Sequence, residues 1–229
     1  MEDTMREIIV IQCAKSKNPP KETWQFGGKK VTFIANPSIC EESATILYCK
    51  PDSKIPDSNI TWRQKLEEYN RVGGNPPEFL RKAWQLYKSW IYAQLIDRYG
   101  EKDIFILSAG WGLIRSDYLL PHYDITFARG AKACNRRKEN DIYDDFNHLK
   151  DEKPEETDTV YFFGTSDYLS LYCYLTQGIP SNKVIFYVGE NEPDEAAKSS
   201  YTLKQYREKP FTNWQYSCAK DFVEGKLRK

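Results

Sequence analysis

Four short segments of this chain hold side chains able to do chemistry, and each stands directly after a short apolar run. Cys13-Ala14-Lys15-Ser16-Lys17 follows EIIVIQ, and Ala109-Gly110-Trp111-Gly112-Leu113 follows DIFILS. Gly164-Thr165-Ser166-Asp167-Tyr168 follows TVYFF, and Gly189-Glu190-Asn191-Glu192-Pro193 follows KVIFYV. In the first, small and hydroxyl-bearing residues can present backbone N–H groups to an anion, with Lys15 or Lys17 supplying charge. It lacks the glycine-lysine spacing of a P-loop. Cys13 is a candidate nucleophile in that positive setting, although a cysteine at a strand end also serves packing alone.

The second segment runs on through Asp117, His122, Tyr123 and Asp124. Gly110 and Gly112 permit a tight turn just after Ser108, leaving Trp111 to face outward or into a pocket. A loop this rich in polar and aromatic groups suits a site. Asp124 is the preferred catalytic carboxylate, with Asp117, Asp167 and Glu190 as alternatives, and His122 suits a supporting position better than that of a base. In the third segment Thr165 or Ser166 can cap a helix, which is a sufficient structural role. The same helix start can also face an anion, with Tyr168 stacked on a ring. Beyond the Asp124 loop lies RGAKACNRRK, with Arg129, Lys132, Arg136, Arg137 and Lys138 and no acid. That run is either a solvated face or a phosphate-binding one.

The elements that must position these groups are readable. Strands are expected at Glu7–Gln12, Val31–Ile34, Thr45–Cys49, Asp103–Ser108, Thr159–Phe163 and Lys183–Val188. A helix is expected from Pro76, at the double proline, to Tyr99, just before Gly100, because Phe79, Ala83, Leu86, Trp90, Ala93 and Ile96 share one face. Others are expected near Trp62–Tyr69, over Arg136–Leu149, over Ser166–Thr176 and in the C-terminal stretch. Strands alternating with helices imply an α/β fold: a mostly parallel central sheet with helices on both faces. Its ligands would sit beyond the strands' carboxyl ends. We read residues 1–229 as one domain, with 51–75 as an insertion and 190–229 as a helical extension.

Composition narrows the classes. Thirty-three basic and 33 acidic side chains cancel, so a polycation that coats nucleic acid in bulk is excluded, while a local basic patch is not. The six cysteines include no CxxC pair, and with two histidines they make no zinc-ligand spacing. The expectation is reduced thiols, no metal, no cofactor and a cytoplasmic location. No apolar run reaches the length of a membrane span, and the acidic start is unlike a signal peptide.

Ile106–Phe127 (ILSAGWGLIRSDYLLPHYDITF) resembles the strand-and-loop signature of the YaaA-like family, with Trp111 where that family has Tyr and Tyr123 as the aromatic before the last Asp. CAKSK is similar to the family's first-strand motif, and GTSDY fits the Gly-x-x-x-Tyr of smaller bacterial and phage relatives. The resemblance implies DNA binding and a layout similar to uracil-DNA glycosylases. From it follows the expectation of a DNA glycosylase in base excision, acting on a modified base in duplex DNA. Hypermodified phage bases are a candidate substrate and antiviral defence a candidate role. Asp124 would then activate water or stabilise the sugar cation. Cys13, Ser16, Ser108, Trp111, Tyr123, Asp167 and Tyr168 would line the base pocket. Lys17, Arg129, Lys132, Arg136 and Arg137 would hold phosphates with Lys15 and Ser16, and Lys15 could instead form a Schiff base with the sugar. Two other readings stand beside it: an enzyme cleaving or transferring the ribosyl group of a free nucleoside or nucleotide, and a non-catalytic DNA-binding stress protein.

Overall fold

The structure, a computed structural model, describes residues 5–194, 201–208 and 212–227. Its first half holds β1 (Glu7–Gln12), β2 (Gln25–Phe26), β3 (Lys29–Ile34), β4 (Ile46–Cys49), α1 (Trp62–Val72), β5 (Leu80–Lys82), α2 (Ala83–Leu86) and α3 (Ile91–Tyr99). There follow β6 (Ile104–Ser108), β7 (Gly112–Arg115), β8 (Leu119–Pro121), β9 (Tyr123–Asp124), β10 (Phe146–Asn147) and α4 (His148–Asp151). The remainder is β11 (Thr159–Phe163), α5 (Ser166–Thr176), β12 (Asn182–Tyr187), β13 (Thr202–Gln205) and α6 (Trp214–Val223).

Seven strands form the central sheet in the order β10-β7-β6-β1-β11-β12-β13. Every pairing is parallel except the β6–β7 hairpin. The interior strands are apolar on both sides because both sides are covered. Alternation along β11 sends Phe162 to one face, where it stacks on Tyr172 of α5 at 4.1 Å. Tyr161 and Phe163 point to the other face and meet Phe222 of α6 at 4.5 and 5.4 Å. Helix α3 joins that second layer through Tyr92 against Tyr216 and Tyr99 against Phe222. The α/β architecture with helices on both faces is therefore as expected.

Four expected elements differ, the first being the loop after Ser108, which holds β7, β8 and β9. The single helix over Pro76–Tyr99 is broken into β5, α2 and α3. Its first part is drawn away by distant backbone partners: β5 pairs with β8, Ala83 N–H donates to Tyr118 C=O, and Asn18 N–H donates to Leu86 C=O. The expected helix over Arg136–Leu149 is mostly irregular chain, with only α4 at its end. Arg137 N–H bonds back to Thr126 C=O, and β10 joins the sheet beside β7. The C-terminal stretch is not wholly helical, since β13 adds a parallel edge strand before α6. The expectation for 190–229 reaches in part beyond the described residues. Residues 51–75 are built into the core through Trp62, Leu66 and Arg63 of α1, capped by Thr61 and Gln64.

His148 gives the fold an acid sensitivity. Its ring sits 4.5 Å from Tyr118 and 5.3 Å from Phe146, and Nδ1 accepts the Arg115 N–H. Burial, with Arg115 adding to it, pushes its pKa down from 6.5 to about 4. Between those values the unfolded chain binds the extra proton, so stability falls as pH drops from 6.5 to 4, by about 2–3 kcal/mol. Urea melts at both ends of this window should show that loss, and His148→Phe, which keeps the stack, should remove it. An equal pH slope in the variant would place the sensitivity elsewhere.

Candidate functional site

Strands β1, β6, β11 and β12 run in one direction, so their carboxyl ends share one edge of the sheet. Gln12, the last residue of β1, fastens two of those ends together. Its Oε1 accepts from Thr165 N–H at 2.6 Å and Thr165 Oγ1 at 3.0 Å. The loop after β1 is pinned from outside, where Asn18 N–H and Lys88 N–H bond across between 16–18 and 86–88. That crossing carries Tyr87 into the site.

Below the edge lies a buried floor of hydroxyls and a thiol. Ser108 Oγ accepts from the N–H groups of Gly110 and Trp111, at 3.3 and 3.2 Å. Ser108 Oγ also shares a hydrogen bond with Tyr123 Oη at 2.8 Å, and Tyr123 Oη shares one with Tyr87 Oη at 2.8 Å. Cys13 Sγ lies 3.2 Å from Tyr168 Oη. Burial raises the phenol pKa of Tyr87, Tyr123 and Tyr168 well above 10, so all three stay protonated. Gly110 lies against this floor, and a Cβ there would stand 3.2 Å from the Tyr123 ring. Tyr123→Phe strips two buried hydroxyls of their shared partner and should cost about 1–3 kcal/mol in chemical denaturation. An unchanged midpoint would mean that the chain contributes nothing to stability.

Lys17 lies half-buried above the floor, its ammonium 4.1 Å from the Tyr123 ring centre. Burial lowers its pKa below the usual 10.5, while Cys13 and Asp124 pull it back up. Strand β9 supplies the acid. It pairs with β3, Phe33 beside Tyr123 and Ile34 beside Asp124, so alternation turns Tyr123 inward and Asp124 outward. Asp124 is exposed and accepts from the Asn135 side-chain amide. His122, also exposed, has its pKa lowered by partial desolvation and then by Lys17 and Lys30.

Two buried arginines brace the turn between β6 and β7, and sequence reasoning assigned neither this task. Arg137 donates to Ala109 C=O at 3.0 Å and grips Asp145 at 2.9 and 2.6 Å. Arg63 donates to Gly110 C=O and Trp111 C=O at 3.2 and 3.1 Å and is ion-paired with Asp52. All three carbonyls of the turn are thus taken. Gly112 completes it at φ +88°, where a Cβ would strike Phe146 C=O at 2.5 Å.

The expected site residues divide accordingly. Cys13, Ser108, Tyr123 and Tyr168 meet in the floor; Lys17 lies over it and feels the charge of Asp124, which is hydrogen-bonded to Asn135. Lys15 and Ser16 are exposed on the same loop. It is Lys17, not Lys15, that turns in over the hydroxyls. Asp167 is half-buried on the first turn of α5. Trp111 does not wall a pocket. It is fully buried against Phe33, Phe146 and Arg63, because the tight turn folds it beneath the sheet edge. Nor does Arg137 face phosphates, being 4% exposed and occupied by Asp145. Arg129, Lys132 and Lys138 are exposed and Arg136 half-buried. Asp117 is paired with Arg115 toward the opposite edge, and Glu190 is exposed just past β12.

Two clefts lie apart from the floor residues. One of about 860 Å³ lies between α1 and the Arg115–Leu119 segment, near the opposite edge. Another of about 330 Å³ lies beside α5, next to Phe127. Among the described residues no group of three His, Cys, Asp or Glu is gathered to hold a metal, and no helix is long and apolar enough to cross a membrane. The strand-end arrangement offers an exposed carboxylate, an ammonium of lowered pKa and a rigid floor, which suits proton transfer at a polar bond. Compared with known proteins, the chain matches no protein-family profile and no curated sequence.

Proposed function

We propose that the strand-end site hydrolyses the N-glycosidic bond of a modified base in DNA, leaving an abasic site. The observation that carries this reading is half-buried Lys17, within electrostatic reach of the exposed Asp124, above the Ser108–Tyr123–Tyr87 floor. Asp124 takes a proton from water as its oxygen bonds to C1′ of the sugar, and its charge favours the oxocarbenium-like state. The C1′–N bond breaks, and the departing base receives a proton from the Lys17 ammonium. Lys17 serves as this acid because burial makes its proton easier to give, whereas Lys15, the residue expected to form a Schiff base, is exposed on the loop.

The YaaA-like resemblance supports DNA as the substrate, as do Arg129 and Lys132, which are exposed on the segment that folds back along Asp124–Thr126. Extruding the nucleotide from the stack costs a few kcal/mol. The test is release of free base. Protein is incubated with unmodified DNA and with phage DNA carrying hypermodified pyrimidines; alkali reveals abasic sites and mass spectrometry names the base. Abasic sites in modified DNA alone support the reading. No base release from any DNA rejects it, and binding without release favours the DNA-binding protein. A free nucleoside substrate would show little of the steep salt dependence that phosphate contacts produce.

A further inference from the structure

Cys40 and Cys134 come from segments distant in sequence, yet their thiols meet. Asn36 brings the segments together. Its N–H donates to Cys134 C=O at 2.8 Å, and its side-chain amide donates to Ala133 C=O and Arg136 C=O at 3.0 and 2.9 Å. The same residue opens the 3₁₀ turn Pro37–Ile39, which Cys40 N–H closes on Pro37 C=O at 3.1 Å. The Cys40 thiol hydrogen-bonds the Cys134 sulfur. Cys134 Sγ donates in turn to Asn135 Oδ1 at 3.3 Å, and the Asn135 amide donates to Asp124. A file of hydrogen bonds thus runs from Cys40 to the carboxylate of the strand-end site. Both thiols are partly exposed, whereas Cys13, Cys49 and Cys218 are buried. Burial raises the Cys49 and Cys218 thiols, which keeps them inert.

We propose that Cys40 and Cys134 are an oxidation site at which a peroxide forms a reversible disulfide, withdrawing the thiol donor from Asn135 and so loosening its hold on Asp124. The Cys134 sulfur attacks one peroxide oxygen; an S–O bond forms, the O–O bond breaks, and the leaving hydroxide takes the thiol proton as water. The Cys40 sulfur then displaces the hydroxyl of that sulfenic acid; the S–S bond forms and a second water leaves with the Cys40 proton. Two thiols are oxidised to one disulfide, and one peroxide is reduced to two waters. Partial desolvation, then the bond to Cys134, pushes the Cys40 thiol up to about 11, with Lys132 pulling the other way. Cys40 therefore keeps its proton and takes the second step, as the resolving thiol. Once the disulfide forms, Cys134 has no proton to give Asn135. The effect on base release rests on the glycosylase reading; the thiol pair itself does not.

The whole protein, fully reduced, is treated with hydrogen peroxide and digested for mass spectrometry. Two of the six thiols should disappear. The Cys40 and Cys134 peptides should appear joined and lighter by two hydrogens, and dithiothreitol should reverse the change. Cys40→Ser should instead leave a sulfenic acid on Cys134, captured by dimedone. A second arm compares base release from phage DNA by the reduced and oxidised forms. Its kcat should fall by about tenfold or more on oxidation, with KM little changed, and return with dithiothreitol. A disulfide with no base release from either form keeps the thiol site and rejects the glycosylase reading. Base release with no loss of thiols does the reverse. Pairing of other cysteines, a link between two chains, or equal base release by both forms overturns the proposal.

Discussion

Arg137→Met is expected to destabilise the protein by about 3–5 kcal/mol, since it leaves the Asp145 carboxylate buried without its partner. Both side chains of that pair are 4% exposed, so water cannot replace the lost guanidinium. Ala109 C=O loses its donor in the same step. For a chain of this size the melting temperature should fall by roughly 6–20 °C. Arg137→Lys should recover only part, because an ammonium cannot make the two parallel bonds of the guanidinium. The double variant Arg137→Met, Asp145→Leu should regain much of the loss, since no uncompensated charge stays inside. Urea denaturation of the four proteins checks this. A loss below about 1 kcal/mol in the single variant would mean an exposed cation of little consequence.

Asp124→Asn should lower base release by about 10²–10⁴-fold, the usual contribution of a positioned acid or base. The melting temperature should not change, because the side chain is exposed and its recorded partner is the Asn135 amide. DNA affinity at fixed salt should hold or rise slightly, since one negative charge is removed near the backbone. Asp117→Asn is the matched control and should be silent, as Asp117 belongs to the Arg115 ion pair toward the other edge. Full activity in Asp124→Asn would reject its role and direct attention to Asp167, the next carboxylate along that edge. Lost activity with lost stability would instead make Asp124 structural. Single-turnover kinetics beside thermal melts separate these results.

Much of the fold is legible in the chain itself. The runs EIIVIQ and TVYFF are strands β1 and β11 residue for residue, and Ser166–Thr176 is a helix as its pattern requires. Short apolar runs bounded by polar or glycine-bearing turns carry that information locally. The parallel rule then brings CAKSK, the turn after DIFILS and GTSDY to one edge, where Gln12 bonds to Thr165 and Cys13 meets Tyr168.

Other features depend on partners far away in the chain. Tyr87 lies in a stretch whose three- and four-residue spacing spells helix. It enters the site because the 16–18 loop, some seventy residues earlier, takes its neighbours' backbone groups. Arg137 looks like one cation in a basic run until Asp145 and Ala109 claim it, and Trp111 looks available until Arg63 and Phe33 close over it. Lys15 and Lys17 are equivalent by composition; only the fold turns one toward solvent and the other over Tyr123. Strand and helix periods are short-range and are written in neighbouring residues. Burial of a charge and the choice of its partner arise only when separate segments exclude water together, and that the tertiary structure alone decides.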